Sequence, residues 1–146
     1  MLQYGMIGPV LALIGWTFVM WIWLYATRIP AMAKLKIDPQ EAARTGVTPK
    51  LPPTVTRVAD NYNHLHEQPT IFYALALAAH VSVVDSFNVQ LAWAYVAIRV
   101  IHSLVQATAN IIMLRFTVFT LGTVTLAAIF ARTVQMLVGA ESVSGC

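Results

Sequence analysis

Four stretches of this chain are apolar over a length that reaches across a bilayer, and this limits every other reading of it. They fall at about 6–27, 56–84, 88–109 and 115–138. Crossing ~30 Å of hydrocarbon takes ~20 helical residues. The second stretch is apolar only from Pro69 to Val84, so it reaches that length only if its polar lead-in from Thr56 is helical too. Of the 146 residues, 58% are hydrophobic and 10% charged, whereas a soluble domain carries about a quarter charged residues. The chain is therefore predicted to be all-α, an integral membrane four-helix bundle with left-handed antiparallel packing and a single domain over residues 1–146. The first stretch does not read as a signal peptide. It lacks a positive leader, is too long for a signal core, and is followed by Arg28 and Lys34 rather than a small-residue cleavage site.

Charge placement predicts orientation. Arg28, Lys34, Lys36, Arg44, Lys50 and Arg57 lie in or beside the first loop, about 28–55, and Arg115 lies between the third and fourth stretches. The loop from Asp85 to Asn88 carries no positive residue. Positive loops stay in the cytoplasm, so both termini are expected on the other side. Within the first loop "DPQEAARTG" predicts a short helix, with Asp38 as N-cap, Pro39 in the first turn, Glu41 closing a capping box and Gly46 ending it. The scattered basic residues offer no nucleic-acid platform. The one cysteine, Cys146, excludes a disulfide or a cysteine-based metal site within one chain.

The polar residues inside the apolar stretches carry the functional information. "NYNHLHEQPTIFYALALAA", Asn61 to Ala79, crowds Asn61, Asn63, His64, His66 and Glu67 together before it turns apolar after Pro69. Asp60, His64 and Glu67 follow at i, i+4 and i+7 and share one side of a helix. Arg99, His102, Gln106 and Asn110 form a second stripe at i, i+3, i+7 and i+11. Arg99 is deep in its helix, where an unpaired charge costs at least ~2.5 kcal/mol. Glu67 is its obvious partner by sign. An isolated pair of this kind more often staples two helices, but two facing stripes of ionisable residues point to a site. Glu67 is accordingly expected within reach of Arg99, His102 or Arg115, in the same or an adjacent chain. Pro69 is expected to kink the second helix and free a carbonyl near Leu65, which a polar group would satisfy.

"RVADNYNHLHEQPTIFYALAL" together with "IRVIHSLVQATANIIMLRFTVF" resembles the MAPEG family, the membrane-associated proteins of eicosanoid and glutathione metabolism, in its bacterial branch. The resemblance runs from Arg28 to the end of the fourth stretch. It implies a homotrimer in the bacterial inner membrane, with glutathione held between subunits toward the cytoplasmic side. It implies Arg115 as the catalytic cation that stabilises the thiolate, with Arg28, Asn63, His64, Glu67, Arg99 and His102 binding the cofactor glutathione. The substrate implied is a hydrophobic small molecule reached through the lipid bilayer. The chain departs from the family pattern at Asp60 and His64, where arginine and asparagine are usual, at Gln106 and Phe119, where tyrosines are frequent, and at Phe116, where one branch has serine.

Two functions follow as expectations. One is a glutathione-dependent transferase or peroxidase. The alternative is a non-catalytic membrane scaffold, an accessory subunit of other membrane proteins or a lipid-binding protein that has lost glutathione chemistry. A metal or haem protein built on His64, His66 and His102 is a weaker third, because His64 and Glu67 at i, i+3 offer only two ligands per chain. No metal is expected.

Overall fold

A computed structural model of the chain describes residues 5–45, 51–82 and 85–144. Among these residues there are six helices and no strand: α1 (Ile7–Lys34), α2 (Pro39–Thr45), α3 (Pro53–His64), α4 (Gln68–Ser82), α5 (Ser86–Ala107) and α6 (Ile112–Ser144). By length and composition, Ile7–Lys34 and Ile112–Ala140 are each apolar enough to cross a membrane alone. They also turn Phe18, Ile22, Val124 and Phe130 outward, a surface that suits lipid and not water. α4 is too short to span, and α5 is interrupted by polar residues.

α1 continues seven residues past the expected end at 27, because the connecting segment begins with a helix stop rather than with its first basic residue. Lys36 takes a left-handed φ of 52°, and the Lys36 and Ile37 amides bond back to Ala33 and Met32. This pattern satisfies the last carbonyls of a helix. The short loop helix is present: Asp38 Oδ1 accepts from the Gln40 amide at 2.8 Å, and Pro39 occupies the first helical position. Gly46, its expected end, lies outside the described residues. α6 starts at Ile112, before the expected 115, and runs to Ser144.

The expected single helix over 56–84 is two helices. α3 stops at His64, Leu65 to Glu67 form a turn, and α4 begins at Gln68. Pro69 sits in the first turn of α4, where its missing N–H costs nothing. Proline therefore starts a helix here instead of kinking one.

α5 packs most extensively on α6, while α1 lies across α3, α4 and α5. One core joins Leu13, Phe72, Tyr95 and Ile129 from α1, α4, α5 and α6. A second joins Met20, Val58, Leu65 and Ala107, where α3 meets α1 and the end of α5. The helix break begins at Leu65 of the second core, and Arg99 on the buried polar side of α5 reaches it. At the opposite end Arg132 ties the helices together, donating to Asp85 at 2.8 Å and Asn88 at 3.2 Å while lying 4.6 Å over the Phe87 ring.

Candidate functional site

α5 buries Arg99, His102, Ser103 and Gln106, each at most 3% exposed. At i, i+3, i+4 and i+7 these four share one helix face. The Arg99 guanidinium reaches the helix break. Its Nη2 donates to the His64 carbonyl at 2.9 Å and its Nη1 to Gln68 Oε1 at 3.3 Å. In a continuous helix the amide of residue 68 would hold the His64 carbonyl; at the break that carbonyl keeps only a long bond of 3.4 Å from the Glu67 amide, and Arg99 supplies the shorter one. Pro69 has no N–H to offer the Leu65 carbonyl, as expected, and it is the adjacent His64 carbonyl that a polar side chain satisfies.

Glu67 does not meet Arg99, His102 or Arg115 within the chain. It is 62% exposed, and its Oε2 lies 2.9 Å from His64 Nδ1, an ion-pair distance without hydrogen-bond alignment. Sign alone favoured a carboxylate for Arg99, but a backbone carbonyl and an amide occupy that role. The other ion pair among the described residues, Arg132–Asp85, is at the far end.

Where α5 turns into α6, Asn110 adopts a left-handed φ of 52°, which asparagine tolerates better than most residues. Its side chain accepts from Arg115 Nη1 at 2.6 Å and so aims that guanidinium. Arg115 then lines an open cleft of about 440 Å³ with His64, His102, Ile112, Phe116 and Phe119. Arg115 Nε is buried there without a hydrogen-bond partner. The His64 and His102 rings stand 6.2 Å apart, and Arg99 lies one layer behind the wall, 5.8 Å from the Phe119 ring. A second groove of about 280 Å³, between α1 and the α3–α4 break, is lined by Trp21, Tyr62, His66 and Tyr73 among others.

Of the expected site residues, the structure brings His64, His102 and Arg115 together in the cleft, with Arg99 behind them and Glu67 at its edge. Arg28 and Asn63 are exposed and do not line it. Asp60 is also exposed, while Gln106 is buried away from the cleft, so neither departure alters the cleft wall in this chain. Gln68, which joins three helices, was missed by sequence reasoning, whereas Asn61 of the expected polar cluster faces α5 and donates to Ser103 inside the bundle. A signal for Gln68 existed: an amide directly before Pro69 at the head of an apolar run needs a polar partner in the interior.

A sequence model of the MAPEG family matches residues 6–135, which covers every element of this site. The chain belongs to the MAPEG family. No similar protein was found among curated sequences or among solved structures. MAPEG membership and the two apolar helices make this chain an integral membrane protein. Among the described residues of this MAPEG protein, no three His, Cys, Asp or Glu side chains gather as metal ligands.

Proposed function

We propose that this MAPEG protein binds glutathione in the cleft at the α5–α6 turn and uses it, as a transferase or peroxidase, on hydrophobic molecules that arrive through the bilayer. The carrying observation is Arg115: a cation oriented by Asn110, facing an open cleft, with one N–H buried and unsatisfied. A guanidinium beside a thiol favours the thiolate, lowering its pKa from ~8.5 toward neutrality, and the thiolate is the nucleophile. The cleft volume of about 440 Å³ lies in the range of small-molecule sites. Arg115 would hold the sulfur, and His102 and Arg99 would favour the anionic peptide. His64 and Glu67 would meet its polar end, while Phe116 and Phe119 form an apolar wall toward the substrate. Arg28 and Asn63, exposed in one chain, would complete the site from a neighbouring copy in a homotrimer of four-helix bundles. This reading places the cleft at the cytoplasmic face of a bacterial inner membrane, since Lys34, Lys36, Arg57 and Arg115 cluster toward that end.

The experiment is the ultraviolet absorbance of the glutathione thiolate in the purified protein. Wild type should generate it at neutral pH, and Arg115→Ala should abolish it. Thiolate formation untouched by that substitution would reject the role of Arg115. The alternative, a scaffold or lipid-binding protein without glutathione chemistry, is favoured by one observation: Phe116, 66% exposed at the cleft mouth, offers no donor beside Arg115. That reading expects neither thiolate nor glutathione binding.

A further inference from the structure

We infer that Gln68 sets the charge of this site: it holds the buried guanidinium of Arg99 through a neutral amide, so that the positive charge stays unneutralised behind the cleft. The inference rests on the glutathione reading above.

Gln68 opens α4 and contacts two other helices. Its Oε1 accepts from Arg99 Nη1 and from the Tyr95 hydroxyl, both at 3.3 Å, and its Nε2 donates to Thr123 Oγ1 on α6 at 2.8 Å. Arg99 is 1% exposed, and among the described residues no carboxylate lies within ion-pair distance of it. A buried cation without a counter-charge is costly, and a packing role alone would be served better by a carboxylate. Glutamate at position 68 would supply one in nearly the same volume. The chain has a carboxylate one residue away, but Glu67 is 62% exposed and turned to His64. The amide is inside and the acid outside.

The charge left free is well placed to act. Arg99 bonds the His64 carbonyl and lies 5.8 Å from the Phe119 ring, and both residues line the cleft. Its Nε has no hydrogen-bond partner, so the guanidinium is not saturated by the protein. Charges separated by a low-dielectric wall interact more strongly than the same charges in water. Gln68 therefore bears on an anionic ligand by its neutrality: it fills the place beside Arg99 without cancelling the charge, while the His64 carbonyl keeps the guanidinium in place.

The test compares Gln68→Glu and Gln68→Ala with wild type, as full chains in detergent. Reduced glutathione is titrated calorimetrically, and the melting temperature is taken for each. In Gln68→Glu the new carboxylate still accepts from Arg99 and Tyr95, and the Thr123 hydroxyl, which donates to the Phe119 carbonyl in wild type, can turn to donate to it, so the ties to α5 are kept while Arg99 is neutralised. That variant should melt at or above the wild-type temperature yet bind glutathione about tenfold more weakly. A tie that is only structural cannot raise stability and lower affinity together. Gln68→Ala removes the acceptor, adds no charge and leaves the His64 bond intact, so its affinity should stay within about threefold of wild type. Wild-type affinity in Gln68→Glu would overturn the assignment. So would a Gln68→Ala protein that lost binding completely, and this second variant decides the matter if the first does not fold. A wild-type protein that bound no glutathione would instead overturn the functional reading, and this inference with it.

Discussion

Phe72 is fully buried on α4 and stacks on Tyr95 of α5, with ring centres 4.6 Å apart. Lipid tails are as apolar as the protein interior, so deleting this ring costs mainly the cavity and the lost ring contact. Phe72→Ala should destabilise the protein by roughly 3 kcal/mol, the low end for such a change in a soluble core. The measurement is unfolding in mixed detergent, and a loss below about 1 kcal/mol would mean that α4 and α5 repack freely. Arg99 shows how far single residues were legible beforehand. Its depth and its need for partners followed from spacing and the cost of a buried charge. The partners themselves did not follow, because a backbone carbonyl freed by a helix break has no sequence letter, and an amide has no sign to match. Arg115 was legible through the family resemblance and not through its surroundings: Asn110, expected to continue the polar stripe of the third helix, lies beyond the end of α5 in a left-handed turn and orients Arg115 from there.

Helices α3 and α4 meet at a break that sequence periodicity read as one bent helix. Both halves satisfy helical spacing, so the pattern alone cannot distinguish a kink from a stop. The distinction is tertiary: Arg99 from α5 takes the His64 carbonyl, and Pro69 is accommodated in the first turn of α4. The start of α5 was missed by two residues: Ser86 to Asn88, expected in a loop, form its first turn, because Asp85 caps the helix by accepting from the Asn88 amide at 3.3 Å. The Arg132 guanidinium bonded to Asp85 holds its carboxyl below the ordinary 3.8. A carboxylate with a depressed folded pKa stabilises above its unfolded value and loses that contribution as pH falls through the folded one. Melting temperature should therefore fall as pH drops below 3.8, and Asp85→Asn should lower it at neutral pH while flattening this acid dependence. An unchanged acid profile in Asp85→Asn would show that the pair does not link α5 to α6.

At the scale of the whole molecule, the all-helical membrane character was legible because length and apolarity are summed over many residues. Helix count was less so: four apolar stretches and the expected loop helix α2 became six helices among the described residues, since the second stretch is divided. Orientation is carried by the positive residues near α1, α3 and the start of α6, and the chain supplies its own reporter in its single cysteine, Cys146. A membrane-impermeant thiol reagent should label Cys146 from the side opposite the cleft, and labelling from the cytoplasmic side would reverse the assignment. The homotrimer that the family resemblance implies would let Arg28 and Asn63, which do not line the cleft of their own chain, meet it from a neighbouring copy, and mass measurement in detergent should give three copies. The central claim, that this cleft binds glutathione, is tested most directly by isothermal titration of reduced glutathione into the purified wild-type protein. Saturable heat with one site per chain, weakened by Arg115→Ala, is the result predicted. No heat at millimolar glutathione would contradict it and leave the scaffold reading in its place.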